Sequence, residues 1–362
     1  MNDTLRSLPL ARLHTSPDGG LTGVQGWAVP ATFGNRAAEY RQLIEGAALL
    51  DVSFLTIVRA AGPDREDYLN RRLSQKMLAF AEGEGRRAAL LDSVGKMEAD
   101  MEVFASGEEL ILLAPPVLRV HLRSKLDLYV FSEDVQFRDA SEAMASFALI
   151  GPKRAEVLKI IGLENPAARD RRFVMGQVQD GPEVAALSSE LFPGGVVFMC
   201  AQDRGAELWQ RLEEQTIQGG GALCGWEAFE AYRILHGAPW YGTDLDDGTI
   251  PLEADLLQAL HFDKGCYPGQ ETIAKISNLG HPARKLVRLR FSHAKAVAPD
   301  LELTNEAGAV CGRIRSCAAI PNEDSVVALA MVKWPQREPG TVLSLTQYPD
   351  VKGIVEALRT DG

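Results

Sequence analysis

Lys264-Gly265-Cys266-Tyr267-Pro268-Gly269-Gln270-Glu271 is the most unusual stretch of this 362-residue chain, and its reading decides the rest. Two glycines and a proline within it permit sharp backbone turns, so it reads as a tight loop. If the segment is locally extended, Lys264 and Cys266 project to the same side. An ammonium beside a thiol favours the thiolate, which is the nucleophile and the metal ligand. A helix opening at Gln270 would also set Cys266 near a positive helix end. The alternative is a structural loop with an incidental cysteine, and spacing alone does not separate the two.

Working outward, Cys224 to Arg233 has a helical pattern, and the character of the chain changes after His281-Pro282. Residues 284–362 hold short strand-like runs, including Leu286 to Phe291, Val326 to Met331 and Val342 to Leu345. Pro, Gly, Asn and Asp separate them, which predicts a small antiparallel barrel. Toward the N-terminus, Arg36 to Leu50 has helical spacing, Phe54 to Ala60 reads as a strand, and Asp64 is placed to cap a helix running to about Met77. Arg87 to Asp92 and Met97 to Ala105 flank a hairpin loop at Ser93 to Lys96, and Glu109 to Leu113 follows as a third strand. Pro116 to Val130 reads as helix and Val135 to Phe137 as a short strand, a split α+β pattern. A similar unit begins at Phe147 to Ile150, followed by a helix at Lys153 to Ile161. The chain is long for one core, so the expected division is a core over 1–283 in two parts, with a boundary near 145, and a barrel over 284–362.

The chain carries 38 Lys plus Arg against 49 Asp plus Glu, a net charge of −11, which disfavours indiscriminate binding to nucleic acid or anionic membrane. Its five cysteines form no closely spaced pair and no disulfide framework, so a reducing, cytoplasmic setting is expected. No metal site is expected: the histidines (His14, His121, His236, His261, His281 and His293) lack ligand-like spacing. No run approaches the roughly 20 apolar residues that a membrane span needs.

The loop at Lys264 to Glu271 closely resembles the signature of the YgfZ family, relatives of the glycine-cleavage aminomethyltransferase, or T-protein. Arg233 to Asp244, Ile250 to Ala254 and Leu91 to Asp100 resemble further elements of that family, in the right order. Gly26 to Pro30 and Asp51 to Ser53 match weaker ones. The resemblance implies an α+β fold: a folate-binding core of two related parts in a ring, then a small antiparallel β-barrel. It implies tetrahydrofolate or a one-carbon derivative as cofactor, iron–sulfur client or assembly proteins as partners, and a role in cluster repair or cluster-dependent modification of transfer RNA. The T-protein lacks the cysteine motif; an aminomethyltransferase is the competing reading.

On that resemblance, Cys266, Lys264 and Asp100 are the candidate catalytic residues. Asp100, Arg233, Tyr241, Glu253, Gln270 and Glu271 are the candidate folate ligands. A carboxylate at Asp100 could accept from a pterin amino group and ring N–H together, or simply face water at a strand edge. Glu253 could serve folate or the start of a helix. Arg233 suits a ligand carboxylate or an internal ion pair, and Tyr241 and Trp240 suit a pterin face or core packing. Arg284, Lys285, Arg288 and Arg290 make a dense basic stretch. It reads as the solvated outer face of a strand, with a weak transfer-RNA contact as the alternative.

Overall fold

The computed structural model describes residues 5–14, 19–166, 172–292 and 296–358. His293 and Met1 to Thr4 lie outside the described residues. The helices are α1 (Arg36–Glu45), α2 (Arg65–Arg72), α3 (Leu122–Asp127), α4 (Arg154–Ile160), α5 (Gly205–Gln218), α6 (Trp226–Leu235) and α7 (Gln270–Leu279).

A five-stranded antiparallel sheet runs in the order Gly85–Leu91, Met97–Ser106, Glu109–Ala114, Thr56–Ala61, Gln136–Asp139. The expected hairpin lies at its edge, with Ala89 opposite Asp100 and Arg87 opposite Glu102. Side chains alternate along Met97–Ser106. Met97, Ala99, Met101, Val103 and Ala105 enter one apolar cluster, so Asp100 and Glu102 share the opposite, also buried, face.

A six-stranded sheet follows, in the order Phe173–Gln177, Glu183–Ser189, Gly195–Ala201, Met144–Ile150, Ala48–Asp51, Ala222–Leu223. It takes Ala48–Asp51 from far ahead of residue 145. Here the helix expected over 36–50 is corrected. Asn35 caps α1 by accepting from the Ala38 N–H at 3.0 Å, but the helix stops at Glu45 beside Gly46. Ala47 to Leu50 are then buried on both faces, which suits a central strand. The helix expected to reach Met77 ends at Arg72, where Leu73 turns extended. The one expected over 116–130 is a short 3-10 turn at Pro116–Leu118 followed by α3.

The third part is a closed barrel: Arg284–Ser292, Ser325–Lys333, Val310–Ala319, Glu302–Thr304, Val342–Leu345, Tyr348–Glu356, and back to the first strand. Val287, Leu289 and Phe291 fill its interior. The opposite face of that strand is not simply solvated. Leu286 joins the core of the first sheet, and Arg288 is 5% exposed, paired with Glu356 and donating to the Leu235 carbonyl at the end of α6. A further small sheet joins Arg6–Ser7, Trp27–Pro30 and Leu21–Val24.

Candidate functional site

A cavity of about 320 Å³ opens where the end of strand Glu183–Ser189, the turn at Gly194 and the residues just after α6 converge. Its walls include Arg154, Arg172, Ser188, Glu190 and His236. Two buried carboxylates of the first sheet support it from beneath. Glu102 accepts from Arg172, from the Ser189 hydroxyl and from the Glu190 N–H at 2.9 Å. Asp100 takes both oxygens onto Arg87, with Nε to Oδ1 at 2.9 Å. The cross-strand register explains this: Arg87 is directly opposite Glu102 and diagonal to Asp100, on the same face. Burial opposes the Arg87 charge, but Asp100, Glu190 and Glu102 surround it and hold its pKa above the ordinary value.

Glu190 is the most open acid of the group. Its carboxylate is 36% exposed, accepts from Arg172 Nη1 at 3.1 Å and from the Gln258 amide at 3.0 Å, and lies 3.8 Å from Arg87. Arg154 adds a cation whose Nε is buried without a partner. His236 is half-buried. Its Nδ1 lies 2.8 Å from the Tyr232 carbonyl, and its ring lies on the Tyr232 ring with 4.0 Å between centroids.

Gln258 links this cavity to the loop quoted first. From Gln258 the chain runs beside residues 70–75: the Gln258 and Leu260 carbonyls accept from the Gln75 amide, and the Ala259 carbonyl accepts from the Ser74 hydroxyl. Lys264 then reaches back to donate to the carbonyls of Asn70, Leu73 and Gln75, the last at 2.9 Å. The residues expected to catalyse are therefore arranged differently. Lys264 sits in a bend, not an extended segment, and its ammonium donates to carbonyls at and just beyond the end of α2. Burial lowers its pKa to about 8. Cys266 is exposed on the loop as expected, yet it is not among the residues lining the cavity. The other four thiols are buried or half-buried, and burial raises each of them: Cys200 to about 12, Cys317 to about 11, Cys224 and Cys311 upward.

The expected folate ligands divide as follows. Asp100 is fully buried on Arg87, so it faces neither water nor an open cavity. Arg233 is enclosed: it binds Glu230 at 2.7 Å, Asp244 at 2.7 Å and the Ala238 carbonyl at 3.1 Å, the internal ion pair of the two alternatives. Glu253 accepts from the Ile250 N–H at 3.0 Å and from Arg284 at 2.9 Å, a helix-start role. Trp240 is core, packed against Phe192, Trp226 and Phe229. Tyr241 donates to the Met97 carbonyl at 3.2 Å and lines a separate cavity of about 470 Å³ with Lys96, Glu98 and Lys125. Gln270 and Glu271 open α7, half-buried and exposed respectively.

Sequence reasoning missed Glu102, Arg172, Glu190 and the role of Arg87. One signal was present: Glu98, Asp100 and Glu102 alternate with apolar residues in a strand whose other face is core. Arg172 and Glu190 carry no local signature. Among the described residues, no three His, Cys, Asp or Glu side chains gather as a metal site, and no helix is long and apolar enough to cross a membrane.

The chain resembles the glycine cleavage system aminomethyltransferase T of Bartonella henselae in fold, with a TM-score of 0.85 at 21% identity over 98% of this chain and 97% of the other. Among curated proteins it is 27% identical over 355 residues to the aminomethyltransferase of Rubrobacter xylanophilus, covering 97% of this chain and 93% of that one. It is 28% identical over 291 residues to the aminomethyltransferase of Halalkalibacterium halodurans, covering 79% of each. Residues 10–264 match the family model described as the GCVT N-terminal domain. With most of its length inside that match and the same three-part fold, the chain belongs to the GCVT family.

Proposed function

We propose that the protein binds tetrahydrofolate, or a one-carbon derivative of it, in the cavity bounded by Arg172, Glu190 and His236, and acts as a folate-dependent protein of the aminomethyltransferase type. The observation that carries this reading is an open carboxylate flanked by guanidinium groups in one cavity. A pterin offers an amino group and a ring N–H, which suit Glu190; the ligand's glutamate tail offers carboxylates, which suit Arg154. The names of the relatives support the same chemistry. When bound, the folate would supply the nitrogen atoms that accept a one-carbon unit; the residues named would bind and orient it. Asp100, through Arg87, and Arg233, through the Ala238 carbonyl, support the walls from behind on this reading. Titration calorimetry with tetrahydrofolate tests it, and no heat of binding at millimolar ligand would sink it. Formation of methylenetetrahydrofolate from an aminomethyl-lipoyl carrier protein tests the transferase step.

A second reading is favoured by one specific feature, the exposed Cys266 in its glycine-rich loop. On this reading the protein is of the YgfZ type: it binds folate, assists iron–sulfur cluster assembly or repair, and serves cluster-dependent transfer-RNA modification. The two separate on Cys266→Ser. Carrier-dependent turnover that is unaffected by this change supports the transferase. Folate binding without turnover, together with loss of complementation in cells, supports the YgfZ reading.

A further inference from the structure

We propose that His236 is the proton-accepting contact of the cavity: its unprotonated Nε2 takes a hydrogen bond from an N–H of the bound ligand, so that binding weakens when the imidazole is protonated. The inference rests on the folate reading above and names a residue within it.

The tautomer follows from the geometry. Nδ1 lies 2.8 Å from the Tyr232 carbonyl oxygen. A carbonyl can only accept, so Nδ1 must carry the proton, and in the neutral ring Nε2 is then an acceptor. The same carbonyl also accepts the His236 backbone N–H at 3.0 Å, which fixes the residue to the last turn of α6. The ring is held on its face by Tyr232, whose hydroxyl is tied to the Pro193 carbonyl at 3.0 Å. Among the described residues Nε2 has no hydrogen-bond partner and is not sealed from solvent, and His236 is one of the residues lining the cavity.

The charges around the ring favour the neutral form. Arg288 of the barrel approaches from one side, donating to the Leu235 carbonyl. Arg154 and Arg172 share the cavity, and among the described residues Glu190 is the one carboxylate lining it, already engaged by Arg172. Burial first, then Arg288, lowers the imidazole from 6.5, although the Tyr232 carbonyl pulls the other way. An uncharged acceptor complements Glu190: it can take a donor from the ligand without adding a second negative charge. Neighbouring cations would instead be repelled by an imidazolium.

The experiment is titration calorimetry of the full chain with 5-formyltetrahydrofolate, an oxidation-resistant reduced folate, from neutral to mildly acidic pH. The proteins are wild type, His236→Gln, which keeps an acceptor but cannot titrate, and His236→Phe, which removes it. Wild-type affinity is expected to fall as pH drops below the imidazole pKa and to level off at least about tenfold below its neutral-pH value. The Gln variant should show a flatter profile, and the Phe variant should bind about tenfold more weakly at neutral pH for one lost hydrogen bond. Wild-type and Gln profiles of equal slope, or a Phe variant that binds as tightly as wild type, would overturn the role of His236 and leave the folate reading intact. Absence of wild-type binding at every pH would remove the folate reading and this proposal with it. Imidazole ¹⁵N shifts check the tautomer independently: a protonated Nε2 at neutral pH also overturns it.

Discussion

At the scale of single residues, the buried charges are the sharpest feature. Arg233 and Asp244 are almost wholly buried and paired, with Glu230 as a second partner of the guanidinium. Removing one partner leaves an uncompensated charge, so Arg233→Met should destabilise the fold by about 3–5 kcal/mol. Chemical denaturation would read this, and a loss below about 1 kcal/mol would mean that water reaches Asp244 in solution. Thiol chemistry gives a second prediction. Cys266 is the exposed thiol, and burial raises the other four. Iodoacetamide should therefore label Cys266 first, and Cys266→Ala should leave folding unchanged because little packing is lost. If a buried thiol labels faster, the loop is not open as described. Lys264 acts here through the backbone it holds, so Lys264→Met should alter the labelling rate of Cys266 by loosening the loop.

At the scale of elements, two turns that lie far apart in sequence interlock. Gly269, in the left-handed region at φ 78°, closes the loop before α7, and Gly95, at φ 84°, closes the hairpin. A Cβ on Gly269 would come within 2.6 Å of both the Asp92 carbonyl oxygen and Gly95 Cα. Gly269→Ala is thus strained in conformation and blocked in space, and should cost more than about 1 kcal/mol. Thermal melting checks it; an unchanged midpoint would show that the two turns do not pack this closely. Gly265 has no such neighbour, so Gly265→Ala is the matched control.

At the scale of the whole molecule, charge pairing decides what the basic barrel strand can do. Arg284 pairs with Glu253, Lys285 with Asp255, and Arg288 and Arg290 with Glu356. With its cations matched and a net charge of −11, the chain should not retain transfer RNA. A gel shift with labelled transfer RNA at low salt is expected to show no complex; binding that weakens steeply with salt would contradict this. Acid acts on the whole fold through His236. Its folded pKa lies below 6.5, so as pH falls through 6.5 the unfolded chain takes up a proton that the folded one resists. That contribution to stability is present above 6.5 and is lost toward the folded pKa, and His236→Gln should reduce the acid sensitivity of the melting temperature.

Local patterns were enough to determine the hairpin, the barrel strands and the exposed cysteine loop. Alternation, turn residues and glycines act over a few neighbours, and distant contacts there refine the course of the chain, as where Lys264 bends onto residues 70–75, without replacing the element. Local pattern failed at Ala48–Asp51, whose apolar run fits a helix or a buried strand equally well. Only pairing with Met144–Ile150 selects the strand. The candidate site needed distant partners as well. Asp100, Arg233 and Glu253 stood as candidate ligands on the family resemblance, with an internal role open for each, because a motif shows no partner in one dimension. In three dimensions Arg87, Asp244 and Arg284 claim them. Conversely Glu190, Arg172 and His236 sit in unremarkable local sequence, and only the meeting of two sheets and the end of α6 brings them to one cavity. Which charges are spent inside the protein and which remain for a ligand is a property of long-range contacts, so tertiary structure alone decides it.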